Sequence, residues 1–413
     1  MSDIRLYLAA RVLGTLAQQI QLVAVSWHIF RLTHSPLALG YIGLAQFLPS
    51  VGLVLVTGAV ADRFDRARIV AACNLLLALC ALALAWLAGH QTEGDSVFPF
   101  YAVLFLVGVA RAFAGPATQA LLPTLVPAED LARTVAQAAS VWQTTVIVAP
   151  ALGGWLYGAL PSVSHVYLIA AGLTLAAAAC FTTIRPYVAP PVTGSDAASY
   201  RTPADPPPAK SRDVSWATVL AGLTYIRDNP VLLGAISLDL LAVLLGGAVA
   251  LMPAVAHDVL HADALGLGAL RGAQAVGALL TGLWLTVHPV KGRTGLIMLA
   301  CVFGFGLATI GFGLVRWLPL SVLMLALTGA TDMVSMSIRQ TLIQLRTPQE
   351  MRGRVSAVNL VFVGASNELG EFESGLTAQW LGVVPAIVIG GIGTCVVVAL
   401  WTLMFRSLRD YES

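Results

Sequence analysis

The chain has 413 residues, 58% of them hydrophobic and 11% charged, with a formal net charge of +2. Soluble domains carry about 25% charged residues, so there is too little polar surface here to solvate a water-soluble globule, and the composition is that of a polytopic membrane protein. The five cysteines (Cys73, Cys80, Cys180, Cys301, Cys395) sit in apolar runs without a CxxC pair, which argues against a disulfide framework or a metal site.

Apolar stretches of spanning length follow one another along the chain. The first, 7–30, lies behind MSDIRLYLAAR and lacks a small-residue cleavage site, so it is expected to stay as a span. Further spans fall at 38–61, 69–89, 98–121, 135–158 and 165–184, then at 230–253, 266–287, 295–315, 319–341, 356–379 and 384–405. The spacing predicts an all-α membrane protein of twelve helices in two six-helix halves, residues 1–185 and 230–413. Between them 186–213, with Pro186, Pro190, Pro191, Pro203 and Pro206-Pro207-Pro208, reads as a flexible cytoplasmic linker. Residues 214–229 place Trp216, Val219, Leu220 and Leu223 at helical spacing and are expected to lie on the membrane surface, bracing the second half.

Loop charge gives the orientation. With the N-terminus inside, the inner segments collect most of the basic residues, among them Arg63, Arg66, Arg68, Arg133, Lys291, Arg293, Arg339, Arg352 and Arg354. The outer loops hold Arg31 and Arg316, with Arg271 close to an outer helix end. Positive residues accumulate on the cytoplasmic side, so both termini are expected there.

The two halves carry a repeat. GVARAFAGPATQALLPTLVPAEDLARTVAQ, from Gly108, aligns without a gap on GATDMVSMSIRQTLIQLRTPQEMRGRVSAV, from Gly329, an offset of 221. Gln119 meets Gln340, Pro127 meets Pro348, Glu129 meets Glu350 and Arg133 meets Arg354. Parallel repeats of this kind build transporters that rock about a central site near the bilayer midplane.

Ionisable residues at membrane depth mark that site, because each costs roughly 2.5–3.5 kcal/mol at a helix centre on insertion scales. Arg111 lies midway along the fourth span, and the repeat puts Asp332 at the matching position of the tenth. SNELGEFESG, 366–375, brings Asn367, Glu368, Glu371 and Glu373 into the eleventh span. Glu368 and Glu371 share a helix face and Glu373 points elsewhere; two such carboxylates cannot both ionise cheaply. They either exchange protons with water or belong to a structural hydrogen-bond network. Asp239 in the seventh span is a further carboxyl of the same kind. Gln18 and Gln19 in the first span, Trp142 and Gln143 in the fifth and Asn367 in the eleventh are candidate cavity residues. His257 and His261 have metal-ligand spacing but fall in an outer loop, where surface histidines are the expected reading.

GAVADRFDRAR, 58–68, follows the second span, and VAPALGGWLYG, 148–158, lies in the fifth. The loop is either a salt-bridged latch for one closed arrangement of the halves or only a topogenic positive loop. Pro150, Gly153 and Gly154 bend the fifth helix and admit a close neighbour. Together with RAFAGPATQALLPTLVP, IRDNP and LRTPQEMRGRVSA, these segments resemble the major facilitator superfamily, in the bacterial branch that holds macrolide-efflux and enterobactin-exporter proteins. In the loop Gly58, Asp62, Arg63, Arg66 and Arg68 match the family signature, while Asp65 stands where Gly is usual and Ala67 where a basic residue is. Arg111 resembles the family's fourth-helix arginine, linked there to proton coupling or substrate contact. The fifth-helix segment resembles the signature of its antiporters, with Ala149 in place of a Gly. The resemblance implies a non-enzymatic, proton-driven exporter of a siderophore or amphiphilic drug-like compound. Such a protein works as a monomer in a bacterial inner membrane, without cofactor, metal or nucleic acid. An importer of a ferric siderophore on the same fold is the alternative; a membrane sensor fits less well, as no extramembrane domain is evident.

Overall fold

In the computed structural model the described residues are 2–91, 95–184 and 216–412, with the surroundings of Gly58 and Asp62 outside the description. The proposed linker 186–213 falls outside them. The first half consists of α1 (Ser2–Thr33), α2 (Pro36–Arg63), α3 (Arg66–His90), α4 (Phe98–Leu121), α5 (Ala128–Ala159) and α6 (Val163–Thr183). Helix α7 (Trp216–Asp228) leads into α8 (Pro230–Leu245) at a bend of 107°, with Ile226 in the core of the second half. After a break come α9 (Met252–Ala254), α10 (Ala264–Val287), α11 (Thr294–Leu314), α12 (Leu318–Arg346), α13 (Gln349–Leu381), α14 (Val383–Met404) and a final turn α15 (Arg406–Arg409). Among the described residues ten helices are long and apolar enough to cross a membrane, or eleven with the bent α7–α8 pair. Against an expectation of twelve, α13 is outside this set because five of its central and inner positions are Arg352, Arg354, Glu368, Glu371 and Glu373.

Short polar signals start these helices. Pro36 opens α2, where its fixed φ suits a first turn. Asp65 caps α3 by accepting the amides of Ala67 and Arg68 at 2.9 and 3.1 Å, and Asp263 caps α10 through Gly266 at 3.0 Å. Asp65 therefore has a structural job at the position where a family glycine is usual. Gly382, at φ +92°, makes the one-residue turn between α13 and α14 that a side chain would strain. Large apolar side chains such as Leu79 and Trp86 on α3 and Leu400 and Leu403 on α14 stay exposed, as a lipid-facing surface requires.

The seventh span departs from expectation. Instead of one helix over 230–253, α8 stops at Leu245, the chain turns through Gly246–Leu251, and α9 runs into a π turn over Val255–Val259. Gly246 and Gly247 end the helix. Gly247 is also wedged against α13, where a Cβ would stand 2.5 Å from the carbonyl oxygen of Gly370.

Hydrophobic clustering differs between the two ends of the bundle. At the end bearing the termini, one cluster (Tyr7, Ala67, Leu121, Phe181) belongs wholly to the first half and another (Ile226, Leu232, Ile338, Val355) wholly to the second. At the far end Val23 and Trp27 of α1 pack into a cluster built otherwise from α9, α10 and their neighbours. The halves therefore meet at the far end, and the terminal end carries two separate cores. Two helix crossings make that meeting. Gly154 of α5 lies against Ala264 and Gly268 of α10, and Gly375 of α13 lies against Pro36 and Gly40 of α2. A Cβ on Gly375 would sit 2.9 Å from the Pro36 oxygen and 3.0 Å from the Gly40 Cα. Gly375 follows Gly154 by the repeat offset of 221, and Ala264 and Gly268 follow Pro36 and Gly40 by 228, so the crossings are pseudo-equivalent.

Inside the second half, Arg339 of α12 forms an ion pair with Asp239 of α8, with side chains 4% and 9% exposed. Arg339 is thus a buried residue rather than part of an inner loop. Removing one partner strands the other in an apolar core. Asp239→Asn or Arg339→Met is expected to cost about 3–5 kcal/mol in stability, and replacing both by apolar residues is expected to recover most of it. Urea or thermal unfolding of the detergent-solubilised protein measures the difference.

Candidate functional site

Two adjoining compartments lie between the helices, and Gln19, Leu22, Trp142 and Val146 line both. The first, about 200 Å³, is enclosed by the first half; its polar lining is Thr15, Gln18, Gln19, Gln21, Gln46, Arg111 and Thr174 beside Trp142. Arg111 donates to Gln46 Oε1 at 2.9 Å, which fixes the guanidinium at the wall without neutralising it. The second compartment, about 350 Å³, is shared by both halves. Gln19, Trp142, Gln143 and Pro150 face it from α1 and α5, and Arg271, Gln274, Asp332 and Glu371 from α10, α12 and α13. Val249 and Met252, on either side of the start of α9, complete it, so the break in the seventh helix brings backbone and side chains to the cavity wall.

Glu368 and Glu371 converge on Gly43 of α2. A Cβ on Gly43 would stand 2.8 Å from Glu371 Oε2 and 3.0 Å from Glu368 Oε2. The positive charge of Arg111 acts on both carboxyls and that of Arg271 on Glu371. Arg271 reaches across the seam to Ser26 Oγ at 3.5 Å, and its Nε is buried without a hydrogen-bond partner. Among the described residues, none of Arg111, Arg271, Asp332, Glu368 and Glu371 is in an ion pair within 4 Å. They are neighbours held around an open space, which a ligand, water or a proton can enter.

Other expected site residues fall elsewhere. Asp239 is paired with Arg339 away from both compartments. Asn367 is exposed and lines neither compartment, and Glu373, expected to point away from the Glu368/Glu371 face, accepts from Thr377 at 2.7 Å along its own helix. Helix α5 continues through Pro150; Gly153 faces Ile20 of α1 and Gly154 faces α10, so the glycine pair serves two neighbours. In the 58–68 segment, Arg66 donates to the Ala120 carbonyl near the end of α4 at 3.0 Å, while Arg63 and Arg68 are exposed. His257 is more than a surface residue, since its ring packs against Trp27, Phe30 and His34.

Arg271, Gln46 and Gln274 are the residues the sequence reading passed over. The signal was a second register. With the offset of 228 for α2 and α10, Gln46 aligns with Gln274 and Gly43 with Arg271. Gly108 packs on the Gln46 backbone as Gly329 packs on that of Gln274, which repeats the contact in each half.

The sequence of residues 7–370 matches the family model for the Major Facilitator Superfamily. The chain belongs to that superfamily. It is 29% identical over 420 residues to the enterobactin exporter EntS of Citrobacter koseri, covering 98% of this chain and 92% of that protein. The Escherichia coli protein of the same name is 28% identical over 417 residues, with the same coverage. Among solved structures, a bacterial homologue of the human lysosomal transporter Spinster, inward-facing and unoccupied, superposes with a TM-score of 0.74 at 14% identity, covering 100% of this chain and 98% of that one. The nucleoside transporter NupG gives 0.73 at 14%, covering 98% of this chain and 100% of that one. The protein is therefore a multi-pass membrane transporter acting on small-molecule substrates, and not an enzyme.

Gly43 gives a direct test of the carboxyl cluster. Gly43→Ala is expected to displace both carboxyls while the protein still folds, lowering the initial transport rate roughly tenfold, which corresponds to ~1.4 kcal/mol. Uptake into proteoliposomes, set beside size-exclusion profiles, checks it.

Proposed function

We propose that the protein is a proton-coupled exporter in a bacterial inner membrane, moving a siderophore or an amphiphilic drug-like compound out of the cytoplasm by alternating access. The observation that carries this reading is the charge set at the seam: three carboxyls, Asp332, Glu368 and Glu371, beside two guanidiniums, Arg111 and Arg271, around a cavity to which both halves contribute. With every group ionised the set carries one uncompensated negative charge. In a medium of low dielectric that excess is removed by a proton or by a positively charged part of the solute. Competition between the two for one place is exchange: solute enters the site as the proton leaves it. The glutamines and Trp142 supply hydrogen bonds and a flat aromatic face for an oxygen-rich or ring-bearing solute. Kinship to enterobactin exporters supports the choice of a siderophore.

In this reading the terminal end faces the cytoplasm, as loop charge implies, and the separate cores there correspond to a cavity that opens inward. Twelve crossings result when the broken α8–α9 and the charged α13 are counted with the ten apolar helices. Both compartments are complete within one chain, which suits a functional monomer. The Gly58–Arg68 segment acts as a cytoplasmic latch, with Asp62 as its carboxylate.

Glu371→Gln and Glu368→Gln separate coupling from binding. In proteoliposomes with an imposed pH gradient, each is expected to abolish gradient-driven transport of a dye substrate or siderophore and to leave solute-for-solute exchange within about threefold of the parent. Full gradient-driven transport in both variants would refute the assignment.

A further inference from the structure

We infer that His257 is the interlock at the far end of the seam: an imidazole of the second half seated in a ring slot on α1, which has to leave that slot before the far end can open. It rests on the reading that the halves rock about the central cavity, and it concerns a place that the charge set does not reach.

The slot is built at the end of α1. Trp27 and Phe30, three residues apart on the helix, and His34, just past its last residue, present their rings to the π turn Val255–Val259 that carries His257. The His257 ring lies 6.0 Å from Trp27, 5.8 Å from Phe30 and 5.8 Å from His34, at interplanar angles of 67°, 71° and 57°. Those of Trp27 and Phe30 are edge-to-face geometry. Tyr157 of α5 stands behind Trp27 at 6.5 Å. Trp27 is 4% exposed and Phe30 fully buried, each within a hydrophobic cluster, and the His257 side chain, 40% exposed, covers part of the edge they present. Asp258 Oδ1 lies 2.7 Å from His257 Nδ1 and fixes the ring's rotation.

His34 and His261 both adopt left-handed conformations, at φ +47° and +48°, a region that side chains other than glycine enter at a cost. They are the described non-glycine residues with positive φ, and they follow α1 and the π turn on the two sides of the contact. Each reverses the chain just past a helical segment, as left-handed residues at helix ends do, and the rings meet between the two turns.

Three aromatic contacts that exist only when the far end is shut bias the equilibrium toward that state without adding rigidity elsewhere. His257 is thus a positioning residue for transport: it touches no solute and sets how often the far end opens.

The test uses the full chain in membrane vesicles, with its five cysteines replaced and a reporter cysteine at the cavity-lining position Ala278 (Ala278→Cys). A membrane-impermeant maleimide is applied to right-side-out and to inverted vesicles. In the parent the reporter is expected to label from the face bearing the termini and slowly from the other. His257→Ala is expected to raise labelling from the slow face roughly tenfold, and His257→Phe, which refills the slot with a ring, is expected to label as the parent does. Unchanged slow-face labelling in His257→Ala would overturn the inference, as would a His257→Phe protein that opens like the alanine variant. If His257→Ala does not fold, Trp27→Leu removes the slot wall instead and carries the same two outcomes. A parent reporter labelled equally from both faces would sink the rocking reading itself, which is a separate result.

Discussion

A charge cannot be left facing hydrocarbon, and most of what distinguishes this bundle follows from where it puts five of them. Arg111, Arg271, Asp332, Glu368 and Glu371 come from four helices and both halves, yet they gather around one pair of compartments at the seam. The outward faces of α3 and α14 are free to be wholly apolar because the ionisable groups have been drawn inward. Asp239 and Arg339 obey the same rule by the opposite route, cancelling each other inside one half. One arrangement stabilises a core; the other leaves charges apart and reachable. Only the second lies between the two halves, where transporters built from such repeats place their site.

The repeat supplies the frame and the substitutions within it supply the asymmetry. Gly154 on α10 and Gly375 on α2 are the same crossing made twice. Just inward of it the two copies diverge: Pro150 in α5 corresponds to Glu371 in α13, and Gly43 in α2 to Arg271 in α10. On one side of the seam a glycine leaves room for two carboxyls. On the other a proline-containing helix faces a guanidinium. The result is a site with an acidic wall and a basic wall, made by two-fold related backbones. Arg111 and Asp332 repeat the inversion of sign at a third position.

Much of this was legible in the residues. Helix positions follow from hydrophobic length, and the acidic stretch of α13 stands out because composition gives it no other reason to exist. Glu368, Glu371, Asp332, Arg111, Gln18, Gln19, Trp142 and Gln143 do line or adjoin the compartments. Asp239 could not be told from them by depth alone, because its difference is a partner a hundred residues away in α12. Arg271 was hidden for a related reason: close to an outer helix end it counts only as an exception to the loop-charge bias, and only the second register places it opposite the carboxyls. The break at Gly246–Leu251 had its signal in Gly246-Gly247 and Pro253, but glycines are common in apolar spans, and the packing of Gly247 on Gly370 of another helix is not visible in the residues.

That break joins the two regions of interest. Met252 lines the shared compartment, and five residues further on His257 enters the ring slot at the far end. Between them the chain is a single turn of α-helix passing into a π turn, too short to bend independently and freed from α8 by the glycines before it. Met252 at the cavity and Gly247 against α13 thus belong to the same short segment that carries the imidazole. In a continuous seventh helix a displacement would be shared along its whole length. Here it is confined to one turn with the cavity at one end and the seam contact at the other, so that occupancy of the site and opening of the far end can be linked through contiguous packing.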